Sequence, residues 1–209
     1  MAATSKDTKF WDKIAPKYFR QPIGDQSVYD EKIRRTQALM TPDMDVLEFG
    51  CGTGMTAVRH GPKVRHILAT DISESMVEFG RQRAAEAGVT NVTFQQATLD
   101  DLSESVGTYD MVLGLSILHL MGDADRTIEQ VGRLLKTGGY FVSSTTCLGD
   151  EMPLFRVIIP IMQLIGKAPT VRYLKKDDLI QSLKRAGFDI VDAWLPKKGA
   201  ALFVIAKKR

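Results

Sequence analysis

The stretch Val46-Leu47-Glu48-Phe49-Gly50-Cys51-Gly52-Thr53-Gly54 concentrates more chemistry than any other part of the 209-residue chain. An apolar run closes on an acid, and three glycines follow at alternate positions, the pattern of a buried strand turning sharply into a helix. Glycine at 50, 52 and 54 removes side chains that would hold a ligand away from the backbone. A second acid, Asp71, closes the next apolar run, Ile67-Leu68-Ala69-Thr70. It stands ~20 residues further on, where a carboxylate can hold both hydroxyls of a ribose. The pair predicts a nucleoside lying against the ends of adjacent strands.

Which nucleoside depends on the rest of the loop. A phosphate-cradling loop needs Gly-Lys-Ser/Thr, and here Gly166-Lys167 runs into Ala168. Gly52-Thr53-Gly54-Met55-Thr56-Ala57 can be aligned with the dinucleotide fingerprint, but that leaves Glu48 and Gly50 without a purpose. The chain also lacks the Tyr-x-x-x-Lys pair of short-chain reductases. An NAD(P)-dependent oxidoreductase therefore stands as an alternative, as does a nucleoside-binding module without catalysis.

The complete string Glu-x-Gly-x-Gly-x-Gly resembles the first motif of class I S-adenosylmethionine-dependent methyltransferases. Four further segments match in order and spacing: Asp71-Ile72-Ser73 with Met76, Phe94 to Leu99, Tyr109 to Ser116, and Leu134 to Val142. Phe10 to Phe19 resembles the helix that closes over the cofactor in the small-molecule branch, to which the ubiquinone and menaquinone enzymes belong. The resemblance implies S-adenosyl-L-methionine as cofactor. It implies that Gly50, Gly52 and Gly54, with Phe49 and Cys51, receive its methionine part while Glu48 orients the loop. Asp71 would hold the ribose, Ile72, Met76, Ala97 and Thr98 would border the adenine, and Leu115 and Ser116 would lie near the methyl. The chain departs from many relatives in having Gln96-Ala97-Thr98 where an acid often meets the adenine amine.

Elements must position these residues. Apolar runs alternate with helical patterns, which predicts a mostly parallel α/β sheet with helices on both faces. Strands are expected near 44–49, 66–71, 92–96, 109–115 and 139–145, and a terminal antiparallel hairpin near 188–195 and 200–207. Helices are expected near 8–19, 26–39, 54–60, 74–88, 123–135 and 176–186, with Ser73 opening the fourth and Gly88 closing it. The family resemblance makes this a Rossmann-like seven-stranded sheet in one domain spanning 1–209. Cap helices at about 8–39 and an apolar cap insertion at about 150–174 complete that expectation.

The insertion, Met152 to Ile165, carries a single charge and two prolines, and is shorter than the ~20 residues a membrane span requires. It is either a helix packed on its own domain or the wall of an apolar acceptor pocket, the latter with peripheral contact to lipid as a variant. A small or lipid-like apolar acceptor is expected, a small thiol included, with the methylated atom open among O, N, S and C. A net charge of +3 is too small to argue for nucleic acid. Two cysteines and a polar N-terminus without an apolar signal core fit a reducing, cytoplasmic setting.

Methyl transfer from a sulfonium needs alignment and a deprotonated nucleophile more than an elaborate catalytic set. His119, just beyond the fourth strand, is the candidate base; packing over the cofactor is its plainer role. Tyr18 is a second candidate, with helix packing as the counter-reading. Arg172 and Tyr173 could meet a polar acceptor group. His60 and His66 are read as structural. No Asn/Asp-Pro-Pro-Tyr/Phe motif, no Pro-Cys and no His-Glu-x-x-His occurs, so base, amide and metal-assisted chemistries are not expected.

Overall fold

The computed structural model describes residues 5–150, 159, 160, 162, 163 and 168–209. Two helices, α1 (Ser5–Arg20) and α2 (Gln26–Gln37), precede the first strand. Strands and helices then alternate: β1 (Asp45–Phe49), α3 (Met55–His60), β2 (His66–Asp71), α4 (Glu74–Glu86), β3 (Val92–Gln96), β4 (Tyr109–Leu115), α5 (Ala124–Leu134) and β5 (Leu135–Thr145). After α6 (Lys176–Arg185) the hairpin β6 (Phe188–Trp194) and β7 (Leu202–Lys208) ends the chain. The seven strands form one sheet in the order β3-β2-β1-β4-β5-β7-β6. Only β7 runs antiparallel to its neighbours. The expected fold class is thus observed.

The alternation has a simple cause. Strands at the centre carry apolar residues on both faces, and Val46, Leu47, Val112 and Leu113 are fully buried. Such strands need a helix layer above and below, which the crossover helices supply. One layer gathers Leu47, Phe49, Val112, Ile128, Phe141 and Phe188. The other gathers Val46, Ile67, Val77, Met111, Phe203 and Ile205. The order reverses between β1 and β4, and a ligand crevice opens at such a switch point beyond the strand carboxyl ends. Local signals agree: the Ser73 hydroxyl accepts from Met76 N at 3.1 Å to cap α4, and Asp123 caps α5 through Arg126 N. Gly88 follows α4 with φ +66°.

Two boundaries differ from expectation. Strand β5 begins at Leu135, because the chain pairs Leu135 with Tyr109, skips through Gly138 at φ +80°, and resumes pairing Tyr140 with Met111. An irregularity of this kind adds residues to one strand without shifting the buried face beyond it. Helix α1 extends beyond the expected 8–19 at both ends. Residues 151–158, 161 and 164–167 of the expected apolar cap insertion lie outside the described residues, so the cap is not described as a whole; its flanks meet where Gly149 N donates to Leu174 O at 2.8 Å. None of the helices among the described residues is long and apolar enough to cross a membrane.

One packing detail is decisive for the crevice. A Cβ on Gly80, inside α4, would stand 2.5 Å from Phe94 Cδ1, and one on Gly54 would stand 2.5 Å from Phe94 Cε1. Both glycines are hollows for one aromatic ring, which locks α3, α4 and β3 together. Gly80→Ala should therefore destabilise the fold by about 1–3 kcal/mol through overpacking, more than the ~1 kcal/mol its helix propensity returns. Thermal unfolding checks this, and an unchanged or raised midpoint would show that the ring moves aside freely.

Candidate functional site

Strand β1 ends at Phe49 and the chain then adopts left-handed backbone at Gly50 (φ +64°), Gly52 (φ +53°) and Gly54 (φ +73°). Residues with a Cβ resist that region by ~1–2 kcal/mol each, so three alternate glycines are what this turn requires. The loop is tied to β2 twice. Cys51 N donates to Thr70 O at 2.9 Å, and Gly52 N donates to the Asp71 carboxylate at 2.9 Å. The other Asp71 oxygen accepts from Ser73 N at 3.0 Å. The expected ribose acid is thus first a clamp on the loop, and its free lone pairs remain for hydroxyls. Burial raises the pKa of Asp71, opposed by those backbone donors.

The glycines do not all face a ligand. A Cβ on Gly50 would lie 2.6 Å from Ile117 Cγ1, so that hollow, like the one at Gly54, is filled by the protein itself. Only Gly52 opens outward, where its nearest neighbour is Tyr18 Cε1 at 3.5 Å. Helix α1 thereby lies across the mouth of the loop. Asp12 accepts from the Ser73 hydroxyl at 2.6 Å, Phe19 stacks on Phe79 at 4.6 Å between centroids, and Arg83 donates to Thr53 O at 3.0 Å. The structure so brings Tyr18 to the glycine loop.

Beneath Tyr18 is a cavity of about 380 Å³. Its wall includes Glu48, Gly50, Cys51 and Gly52 from the loop, Leu115 and Ser116 beyond β4, and Ser144 at the end of β5. The opposite wall is α2, which presents Tyr29, Lys32, Ile33 and Thr36. Ser116 holds φ +60°, the left-handed outlier among the described non-glycine residues. That turn aims Ile117 back over Gly50. Strain of this kind persists only where surroundings enforce it, and it commonly marks a site.

The cavity wall is electrostatically unusual. Glu48 is fully buried and its Oε2 has no hydrogen-bond partner among the described residues; burial, then the Asp71 charge, pushes its pKa up to about 8. His60 closes the far end of the cavity with neither ring nitrogen partnered, and burial holds its pKa down to about 4. His60, read from the sequence as structural, thus lines the cavity. Helix α3 is only six residues long, so its last residue still faces the cavity behind the loop. Lys32 Nζ donates to the Ser144 hydroxyl at 2.8 Å, and burial lowers the lysine pKa.

The remaining expected residues divide into two groups. Ile72, Met76, Ala97 and Thr98 do not line the cavity; Met76 and Ala97 are buried, and Gln96 Nε2 donates to Ile72 O at 2.9 Å, joining it to β3. Thr98 donates from N and Oγ1 to Asp101, whose carboxyl those bonds hold below its usual range. Asp101 is thus an acid held against Thr98, three residues past it in sequence. His119 sits in a short 3-10 turn, Leu118–Leu120, and does not line the cavity. Its Nδ1 is buried without a partner, burial lowers its pKa, and its carbonyl accepts from Arg172 N at 2.7 Å. Arg172 and Tyr173 line a separate open groove with Asp123 and Arg185. His66, bonded to Thr93 at 2.8 Å, is structural as expected.

The residues fit an adenosyl cofactor with an amino-acid tail. Glu48 Oε2 is an unsatisfied buried acceptor suited to an ammonium, and a buried polar atom of this kind calls for a partner. Gly52 bares main chain beside it, and Asp71 stands where a ribose would follow. Comparison with known proteins agrees. The model of the methyltransferase domain family matches residues 40–189. An uncharacterised methyltransferase, YcgJ, of Bacillus subtilis is 34% identical over 46% of this chain and 38% of its own length. The ubiquinone biosynthesis O-methyltransferase of Acinetobacter baumannii is 23% identical over 69% of this chain and 63% of its own. The chain thus spans less than two thirds of the length of these curated relatives. A solved S-adenosylmethionine-dependent methyltransferase from Mesorhizobium loti has the same fold, with a TM-score of 0.70 at 20% identity over 83% of this chain and 95% of that one. With the glycine loop, the sheet order and the matched residues in accord, the chain belongs to the methyltransferase domain family.

Proposed function

We propose that this enzyme methylates a small acceptor with an apolar body, bound between α2 and the carboxyl ends of β4 and β5. The observation that carries the reading is the cavity itself. It joins the glycine loop to Leu115, Ser116 and Ser144 without a break, and Ile23 and Ile33 supply apolar wall on the helix side. When bound, the cofactor supplies a methyl on a sulfonium, a leaving group that departs as a neutral thioether. Everything else falls to the chain. Gly50, Gly52 and Gly54 shape the seat for the amino-acid tail, Glu48 Oε2 accepts from its ammonium, and Asp71 accepts from the ribose hydroxyls. Ile72, Met76, Ala97 and Thr98 border the adenine, and Tyr18 covers the seat and excludes water. The likeness to a ubiquinone-pathway O-methyltransferase supports an oxygen acceptor on an apolar body.

His119 does not line the cavity, so it serves as the base only for an acceptor that reaches past Ser116. It stands three residues beyond Ser116, and burial keeps its imidazole neutral, the form that can accept. Replacing it tests this directly. His119→Ala should lower turnover by about a hundredfold while S-adenosylhomocysteine affinity, read by calorimetry, stays unchanged. Retained turnover would leave the histidine a packing role. The acceptor class is tested by supplying S-adenosylmethionine with panels of apolar and hydrophilic acceptors and measuring release of S-adenosylhomocysteine. Turnover confined to charged, hydrophilic acceptors would overturn the apolar reading, and binding of NADH instead of the adenosyl compounds would overturn the cofactor.

Buried Glu48 also gives the unliganded protein a pH signature. Its pKa rises from 4.5 in the open chain to about 8 in the fold. Between those values the unfolded chain sheds a proton that the folded one keeps, so stability falls as pH rises. His60 acts oppositely, since its pKa drops from 6.5 to about 4, and its effect is complete by pH 6.5. His119, lowered from 6.5 as well, acts in the same sense as His60, and above that range the raised Glu48 carries the decline to about pH 8, costing up to about 1.4 kcal/mol per pH unit. Denaturant unfolding across that window should show the decline, and Glu48→Gln should flatten it. A wild-type curve already flat there would mean the carboxyl finds a partner in solution.

A further inference from the structure

The cavity wall on α2 carries a cation with no counterion. Other cations on or beside this helix are paired: Arg34 with Glu31 at 2.7 Å, Arg35 with Asp192 at 2.6 Å, Arg59 with Asp30 at 3.1 Å. Lys32 is different. Its ammonium is partly buried, faces the cavity, and its hydrogen-bond partner is the neutral Ser144 hydroxyl. No carboxylate lies within ion-pair distance of it among the described residues. Burying a charge without a partner is costly, and a chain that pairs its neighbours so consistently leaves this one open for a reason. Glu48, the nearest buried acid of the same wall, is held in its neutral form by burial and does not neutralise it.

Position says which partner is missing. Ser144 sits on β5 opposite Leu115 of β4, two strands beyond the one that ends in the glycine loop, on the side away from Asp71. The nucleoside end of a cofactor runs the other way, toward β2 and β3. Lys32 and Ser144 therefore face what lies past the methyl, in a lining they share with the apolar Ile33 and Leu115 and the polar Tyr29, Thr36 and Ser116. We propose that Lys32 and Ser144 form an anion seat for the acceptor, which thus carries an acidic oxygen, as a carboxylate or phenolate, on an apolar body. The ammonium and hydroxyl both donate, matching the two acceptor lobes of such a group. This rests on the reading that the cavity holds the acceptor. It narrows that reading from apolar molecules at large to apolar acids.

The test uses the full chain saturated with S-adenosylhomocysteine. The probes are 4-hydroxybenzoate and octanoate, each against its uncharged amide, with binding followed by ligand-observed NMR near neutral pH. At least one carboxylate should bind about tenfold more tightly than its amide, the worth of one charge-assisted hydrogen bond. Lys32→Met should erase that preference, Lys32→Arg should keep it, and Ser144→Ala should weaken it roughly threefold. Thermal unfolding of each variant confirms folding, and Ser144→Ala carries the test if Lys32→Met does not fold. Equal binding of acid and amide by the wild type, or no binding of either acid, overturns the proposal. So does a tenfold loss of S-adenosylhomocysteine affinity in Lys32→Met, which would place the cofactor's own carboxylate on the lysine. If the wild type binds the acids but methylates only uncharged hydrophilic acceptors, the acceptor reading beneath fails instead.

Discussion

The hydrogen bond from Gly52 N to Asp71 holds the site together. It joins the loop after β1 to the end of β2 at 2.9 Å and, with the Cys51 N to Thr70 O bond beside it, holds three alternate left-handed glycines in one shape. Glycine lowers the cost of that backbone but also raises the entropy lost on ordering it. A carboxylate accepting from main-chain donors on both its oxygens offsets that loss with charge-assisted bonds. Because Asp71 is spent partly on the loop, cofactor recognition and loop order are one event. A ribose reaching Asp71 meets a group whose position the loop has already set.

Packing around the loop follows from the same constraint. Ile117 fills the hollow at Gly50, and Phe94 fills those at Gly54 and Gly80. The turn at Ser116 exists to deliver Ile117, which accounts for its left-handed backbone. The loop is thus gripped from β2, β3 and β4 at once, while α1 closes it from above through Asp12 and Tyr18. Only the face of Gly52 is left open. A rigid seat with one open face suits a reaction whose rate depends on alignment.

The other half of the site is polar where a core would be apolar. Glu48, His60 and Lys32 share one cavity, and each has its pKa moved toward the neutral form by burial. Groups so displaced cluster where ligands are handled. Their arrangement is consistent with a cavity that receives an ammonium at the loop end and a polar acceptor group at the β5 end.

Much of this was legible in the chain. Strand runs, glycine spacing and the two acids follow from periodicity and local backbone rules, and they led to the sheet and the loop, while the cofactor class came from the resemblance of the full Glu48-to-Gly54 string to a known family's motif. The early start of β5 was not legible, because pairing through an irregularity at Gly138 depends on what Tyr109 offers across the ladder. Nor was the α2 face: Tyr29, Lys32, Ile33 and Thr36 have the spacing of one helix side, but amphipathic spacing does not say whether that side meets core or cavity. His60 was misjudged since six residues of helix cannot show which way the last one points. Local sequence decides what each segment forms, through torsional preference and burial. Which polar groups end up unpaired in a shared hollow is decided only when distant segments meet, because a missing partner is a property of the whole arrangement.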